Sequence, residues 1–406
     1  MVFERQFGVI FTNPKLPVLD YSTLDDNIDI GSLVEVPLGS KVVAGIVWCT
    51  GDTKFDHSRT KQIIGPVNNI KLEPEFISFL KKAHAYTLSP IQSYLKMAVQ
   101  GLNFHKDPKV PIAYKLNSSN YSQITSRQKE IISYFKEQPK RIAQYKQIKN
   151  DLGVSSSVIK SLEKKGVLSK VTENKYKQEK VFSEPIILSP EQRQAVSQIR
   201  EKYVKNEFQS WLLFGVTGSG KTEVYLNLVS ECIEKGEQVL ILLPEISLTV
   251  DFKRRIMKRY GALAGEWHSQ LSLNERRRVF KHVVSGQLKL LVGARSALFL
   301  PFKNLNLIVV DEEHDASYKQ EETPIYNARD LAVLRASTSK SQIILSSATP
   351  SIETWHNCKL GKYNKVDLLK RFGEVYEPRV TLIDMNFEKT PKNSWISVPI
   401  IDQIKK

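Results

Sequence analysis

The segment Gly215-Val216-Thr217-Gly218-Ser219-Gly220-Lys221-Thr222 fits the spacing G-x-x-x-x-G-K-[ST] at every fixed position. Glycines so placed let a backbone wrap an anion closely, the lysine neutralises the outer charge of a polyphosphate, and the threonine hydroxyl suits Mg²⁺. The chemistry implied is binding of nucleotide phosphates. The other half of such a site is an acidic group at a strand end, and Leu307-Ile308-Val309-Val310 runs directly into Asp311-Glu312-Glu313-His314. Asp311 would hold Mg²⁺ through water, and Glu312 would orient and deprotonate an attacking water. His314 by itself reads as a surface histidine. Grouped as D-E-x-H, it gains a role in coupling nucleotide state to nucleic acid.

Elements must bring these residues together. Trp211 to Phe214, Gln238 to Leu243, Leu288 to Val292, Leu307 to Val310 and Gln342 to Leu345 are short apolar runs that predict buried strands. Helical patterns start near Thr222, Ile246, Asn274 and Ala328, so the expected fold is α/β, with a parallel sheet covered on both faces. The phosphate loop then opens at a helix N-terminus, where unpaired N–H groups favour anions. Pro244-Glu245-Ile246-Ser247-Leu248-Thr249, Gly293-Ala294-Arg295-Ser296-Ala297 and Ser346-Ser347-Ala348-Thr349-Pro350 each follow an expected strand at its loop edge. Ligands bind there in open α/β sheets. Each segment singly fits a turn. Together, hydroxyls such as those of Ser347 and Thr349 suit sugar–phosphate contacts, and Arg295 adds a charge.

The 59 Lys and Arg against 43 Asp and Glu leave a net charge of +16 and a pI near 9.5, which attracts polyanions. Residues 101–180 hold 17 basic and 7 acidic side chains, so most of the excess lies in one stretch. Cys49, Cys232 and Cys358 are too far apart for a disulfide framework or a zinc knuckle. No uncharged apolar run approaches membrane-spanning length. A cytoplasmic protein is expected, with nucleic acid as partner and no membrane.

At 406 residues the chain should divide into several domains. Residues 1–102 read as a small β-rich domain, with runs at Gly8 to Phe11, Leu33 to Val36 and Val43 to Val47, closing in one helix from Glu73 to about Tyr94. Residues 103–180 read as a linker to about residue 125, then three short helices and a turn between Ser126 and Lys170. Lys160, Lys164 and Lys165 on the last helix fit a winged helix laid on DNA, and fit a helical spacer with a solvated face equally well. Residues 181–385 form the α/β lobe, and 386–406 begin a further unit.

The segments from Gly215 to Leu226, Leu243 to Thr249, Gly293 to Leu305, Val309 to Glu322, Tyr326 to Val333 and Ser346 to Thr354 resemble the first motor lobe of superfamily 2 DNA helicases. They are most similar to the primosomal protein N′ (PriA) family of replication-restart helicases, and the likeness runs from end to end. It implies an ATP- and Mg²⁺-dependent 3′-to-5′ DNA helicase. On this likeness Gln192 pairs with the adenine edge. The aromatic-rich stretch with Tyr318, Lys319, Tyr326 and Arg329 links single-stranded DNA to the ATP site, as a stacking platform flanked by cations. Asp20, Tyr21, Gly39 and Lys61 would line a pocket for a DNA 3′ end: Tyr21 stacks on the terminal base, Asp20 accepts from the sugar hydroxyl, and Lys61 meets the phosphate. From the residues alone, Asp20-Tyr21 is a loop, Lys61 surface and Gln192 a helix cap. Forked and single-stranded DNA are the implied partners, with primosome proteins and single-stranded-DNA-binding protein as further candidates.

The sequence departs from the family in two ways. Ile325 and Asn327 stand where Arg and His are expected, and the chain stops before the family's zinc module and second motor lobe. Zinc is therefore expected of the family but not of this chain. The expectation for the 406 residues is binding of ATP and forked DNA, hydrolysis near background and no unwinding. The rival is a non-enzymatic fork-DNA and ATP-binding protein. A metabolic kinase has no use for the D-E-x-H and S-A-T segments.

Overall fold

The structure is a computed structural model that describes residues 4–51, 60–99, 112–117, 124–138, 141–172, 187–202, 207–244, 250–260, 264–372, 380–388, 390–391 and 394–405. Its first unit is a sheet of six strands, β1 (Arg5–Ile10), β2 (Leu19–Thr23), β3 (Ser32–Leu38), β4 (Lys41–Thr50), β5 (Lys61–Gln62) and β6 (Gly65–Lys71), in the order β5-β2-β1-β4-β3-β6. The turn between β3 and β4 is Gly39-Ser40, and Gly39 takes the positive φ of 62° that so tight a turn demands. The sheet curls on itself, since Ile63 N–H donates to Ser22 O at 2.8 Å and Ile64 N–H to Glu35 O at 2.9 Å. Asp20 and Tyr21 lie in strand β2 rather than in a loop, and Lys61 is in the edge strand β5.

The single helix expected from Glu73 to Tyr94 is two, α1 (Pro74–Thr87) and α2 (Ile91–Val99). Leu88 turns left-handed at φ 57° to cap α1, and Pro90 cannot continue a helix, so the apolar periodicity resumes on a new axis.

The second unit contains β7 (Ile112–Leu116), α3 (Ser126–Glu137), β8 (Ile142–Gln144), α4 (Tyr145–Leu152), α5 (Ser156–Lys164) and β9 (Leu168–Thr172). Three helices pack on an antiparallel sheet of order β8-β7-β9, around Ile131, Phe135, Ile148, Ile159 and Leu162, which is the winged-helix-like arrangement. The presumed linker thus contains β7, a strand whose partners in sequence lie tens of residues away. Lys160 and Lys164 are exposed on α5, while Lys165 donates to Gln128 Oε1 at 3.2 Å.

The third unit is the α/β lobe: α6 (Pro190–Glu201), β10 (Gln209–Gly215), α7 (Lys221–Glu234), β11 (Gln238–Leu242), α8 (Val250–Tyr260), β12 (Ala264–Trp267), α9 (Leu273–Val284), β13 (Leu290–Gly293), β14 (Leu305–Asp311), the short pair β15 (Lys319–Gln320) and β16 (Tyr326–Asn327), α10 (Ala328–Thr338), β17 (Gln342–Ser347), α11 (Ile352–Lys359) and β18 (Asn364–Leu368). Helix α12 (Val398–Lys405) lies near the end of the chain. Seven parallel strands run in the order β12-β13-β11-β14-β17-β10-β18. Alternate residues serve opposite faces, as the strand period requires. Val239, Ile241, Val309 and Ile344 pack under α6, α7 and α8; Leu240, Leu242, Ile308, Val310 and Leu345 face the other way.

On that second face the helix layer is shared. Alongside α9 and α10 it includes α1 and α2 of the first unit, so one core contains Phe79 and Tyr94 together with Phe299 and Tyr326. The ring of Phe299 stacks on Tyr94 at 5.2 Å and on Phe79 at 5.8 Å. Beside them Arg335 of α10 is 2% exposed, with its guanidinium 5.0, 5.5 and 5.2 Å from the rings of Phe76, Phe79 and Phe302. One hydrogen bond, to Leu300 O at 2.6 Å, serves it, and burial pulls its guanidinium down to about 9. Among the described residues no helix is long and apolar enough to cross a membrane.

Candidate nucleotide and nucleic-acid site

The phosphate loop joins β10 to α7 as the sequence spacing requires. Gly218 and Gly220 take φ of 82° and 80°, and a Cβ on Gly220 would collide with Gln192 Nε2. Gly220 caps α7 without any side-chain acceptor, so the first N–H groups of that helix are left for an anion. Lys221 Nζ donates to Gly215 O at 2.9 Å. Gln192 forms the capping box of α6 with Ser189, and its amide also donates to Ser219 O at 2.9 Å. The residue singled out for the base therefore braces the loop.

Asp311 ends β14, one strand removed from β10 with β17 between them. Its carboxylate accepts from Tyr225 of α7 at 2.9 Å and from Ser346 of β17 at 2.8 Å. These hydroxyls fix it facing the helix that carries Lys221 and Thr222. Burial, then the Asp311 charge, pushes the Tyr225 phenol well above its ordinary range. A threonine hydroxyl and a carboxylate are hard oxygen donors, the set Mg²⁺ takes beside nucleotide phosphates, so these residues fit that ion. Among the described residues no group of three or more His, Cys, Asp or Glu could hold a metal ion.

Glu312 follows with φ at 45°, a left-handed backbone held by Glu313 N–H to Ser346 O at 3.1 Å and Asp315 N–H to Glu312 O at 2.9 Å. Burial, and then the neighbouring Asp311 charge, raises its carboxyl above the usual range, against the pull of Lys221. That suits a group that accepts a proton. His314 Nδ1 lies 2.8 Å from Ser347 Oγ, and Ser347 Oγ in turn accepts from Thr349 N–H at 3.0 Å. The D-E-x-H and S-A-T segments are thus in direct contact.

Glu313, which the sequence reading passed over, has a fully buried side chain. It accepts from Ser351 N–H at 2.7 Å, from the hydroxyls of Ser351 and Thr354 at 3.0 Å each, and pairs with Arg329 at 3.4 Å. A hidden carboxylate with so many donors is a fixed joint between β14, α10 and α11. The Ser-x-x-Thr spacing after Pro350 was its available signal.

The stacking platform is corrected. Tyr318 is 1% exposed and its hydroxyl donates to Leu242 O and Asp311 O, while Tyr326 packs edge-on against Phe299 at 5.2 Å. Neither ring offers a face to a base; both belong to the core beneath the site. Lys319 is exposed beside them, and Arg295 donates to Ser317 O and Lys319 O at 3.0 and 2.9 Å, bracing that loop. Residues 245–249 of the Pro244–Thr249 segment lie outside the described residues.

In the first unit, the parallel register sets Tyr21 opposite Lys61, and the Tyr21 hydroxyl donates to Pro37 O at 3.1 Å, two residues before Gly39. Tyr21, Lys61 and the Gly39 turn are therefore neighbours, and Asp20 is next to Tyr21 on β2. Tyr21 is 3% exposed in the sheet's core, so its ring does not stack on a base; Asp20 is half-buried and Lys61 exposed.

Comparison with known proteins adds two family matches: a DEAD/DEAH box helicase model over residues 189–357, and a 3′DNA-binding domain (3′BD) model of the PriA type over residues 8–100. The replication restart protein PriA of Rickettsia conorii is 35% identical over 393 residues, covering 96% of this chain and 50% of that protein. That of Chlamydia muridarum is 33% identical over 425 residues, covering 96% and 55%. That of Bacillus subtilis is 40% identical over 258 residues, covering 62% and 32%. The chain spans about half the length of the curated relatives it matches. With a 3′DNA-binding domain ahead of a helicase domain, and relatives of one kind aligned along nearly all of its residues, the chain belongs to the PriA family.

Proposed function

We propose that this chain carries the DNA-end-binding part and the ATP-binding motor lobe of a replication-restart helicase that moves 3′ to 5′ on DNA. The single observation that carries the reading is the contact of His314 with Ser347, because it joins the acidic strand end beside the phosphate loop to the hydroxyl loop at the sheet's edge. A phosphate-binding enzyme of another kind has no need of that link.

On this reading ATP supplies the transferable phosphoryl group, held with Mg²⁺ by Thr222 and Asp311. Lys221 leaves the Gly215 carbonyl for the outer phosphates. Glu312, already raised towards proton acceptance, takes the proton of the attacking water, and Tyr225 and Ser346 keep Asp311 in place meanwhile. Gln192 senses the loop through Ser219. Forked or single-stranded DNA runs along the loop edge near the exposed Thr349 and Lys319, while the buried Ser347 and Arg329 hold that edge from beneath, and the 3′ end is held by Asp20, Lys61 and the Gly39 turn. Primosome proteins and single-stranded-DNA-binding protein are proposed partners, and the cytoplasm is the proposed location. The relatives' names and the two family matches support the reading.

The test is ATP hydrolysis by the purified chain with and without single-stranded DNA, with Lys221→Ala as control. Binding of both ATP and DNA with hydrolysis near background is the result expected of these 406 residues, and DNA-stimulated hydrolysis lost in Lys221→Ala would show that the lobe works by itself. Failure of the chain to bind ATP or DNA would overturn the reading.

A further inference from the structure

A cleft of about 350 Å³ lies at the seam where α2 meets the lobe, lined by Ser93 and Lys96 of α2 and by Trp267, Arg276, Ser296 and Gln320 of the lobe. Resting on the DNA-motor reading above, we propose that this cleft binds the sugar–phosphate backbone of a single strand, so that α2 of the first unit supplies part of the motor lobe's grip through Lys96.

The chemistry of the lining carries the proposal. Two cations reach the cleft from different units, and among the described residues neither is paired with a carboxylate. The guanidinium of Arg276 is held in place: it donates to Ser269 O at 2.9 Å and to His268 O at 3.4 Å, and it lies 5.8 Å from the centre of the Trp267 ring. Its Nε has no hydrogen-bond partner. A planar cation fixed by carbonyls and an aromatic face keeps a set direction for an anion. Lys96 is exposed on the opposite wall, a flexible point charge that can follow a backbone. The hydroxyls of Ser93 and Ser296 add donors suited to phosphate and sugar oxygens, while the Gln320 amide is held by Glu322 O and Pro324 O at 3.3 and 3.0 Å. Ser296 follows Arg295 directly at the loop edge of the sheet, the same edge at which Thr349 is exposed.

An acidic peptide could also answer two cations. The hydroxyl lining and the place of Ser296 at the loop edge favour nucleic acid, whose phosphates repeat along a path.

The experiment uses the whole 406-residue chain and a fluorescent oligothymidylate, titrated by anisotropy at several salt concentrations. Lys96→Ala should weaken binding several-fold and lower the slope of log affinity against log salt by about 0.7, the value for one phosphate contact on a single strand. Lys96→Arg should restore most of both. Lys82→Ala, an exposed lysine of α1 outside the cleft, should change neither. Wild-type affinity and slope in Lys96→Ala overturn the cleft and leave the motor reading standing. No binding of the strand by the unaltered chain overturns both. Tighter binding of a polyglutamate of matched charge than of the oligothymidylate overturns the choice of ligand.

Discussion

His314 Nδ1 lies 2.8 Å from Ser347 Oγ, so the end of β14 that bears the acidic pair and the end of β17 that opens the hydroxyl loop are tied by side chains as well as by the sheet. Saturation with a non-hydrolysable ATP analogue should therefore change the affinity for single-stranded DNA, within the usual coupling range of about 5- to 150-fold. His314→Ala and Ser347→Ala should each erase that change, and the double variant should do no more than either. An undiminished change in His314→Ala would remove this contact from the coupling.

Lys221→Ala should abolish binding of a fluorescent ATP analogue, because loop N–H groups alone cannot neutralise the outer phosphates. Gly220→Ala should weaken the same binding strongly, since the new Cβ meets Gln192 Nε2 at a backbone angle only glycine adopts easily. Normal affinity in either variant contradicts the phosphate-loop assignment.

Glu313→Ala leaves Ser351, Thr354 and Arg329 without their buried acceptor, although Asp330 still pairs with Arg329 at 2.8 Å, and should lower unfolding stability by about 1–3 kcal/mol. Glu353, which also pairs with Arg329, has an exposed side chain, so Glu353→Ala should cost less than about 1 kcal/mol. Equal losses in urea titrations would deny Glu313 its role as a joint.

Arg335 is an interior cation with no carboxylate partner among the described residues. Arg335→Met, of similar length and apolar, should leave stability unchanged or raise it by about 1–4 kcal/mol. Phe79→Ala, in the same cluster, should cost about 3–5 kcal/mol. A large loss in Arg335→Met would mean that the ring contacts and the bond to Leu300 outweigh the cost of burying the charge.

The chain should prefer a strand with a free 3′-OH over the same strand ending in 3′-phosphate, because Asp20 accepts from a hydroxyl and repels a phosphate. Asp20→Ala should remove the preference. Equal affinity of the unaltered chain for both ends would refute the pocket. The whole chain is the right reagent: a segment cut near residue 100 would expose Phe79 and Tyr94, which pack on Phe299.

The five strands of the lobe expected from apolar runs are all present, because buried parallel strands are written as unbroken stretches such as Leu307 to Val310. The phosphate loop and the acidic strand end were legible for a similar reason: their chemistry depends on neighbours in sequence. Strands β12 and β18 were not, being edge strands with polar residues such as Glu266, Lys365 and Asp367. The roles of Tyr21, Tyr318 and Tyr326 were misread because an aromatic residue suits a base and a core equally, and only packing decides. Glu313 stayed hidden because its donors come from α10 and the start of α11, elements remote from it in sequence. The seam between the units could not be seen at all, since α1 and α2 carry an amphipathic pattern that does not say which sheet they will cover.

Helix α10 holds Arg329 against Glu313 and, six residues on, Arg335 among the rings of Phe76 and Phe79, about 9 Å apart along its axis at 1.5 Å per residue. One helix is therefore anchored twice in opposite ways, by a buried carboxylate near one end and by aromatic faces near the other, so that the acidic strand end and the seam between the units share a single support.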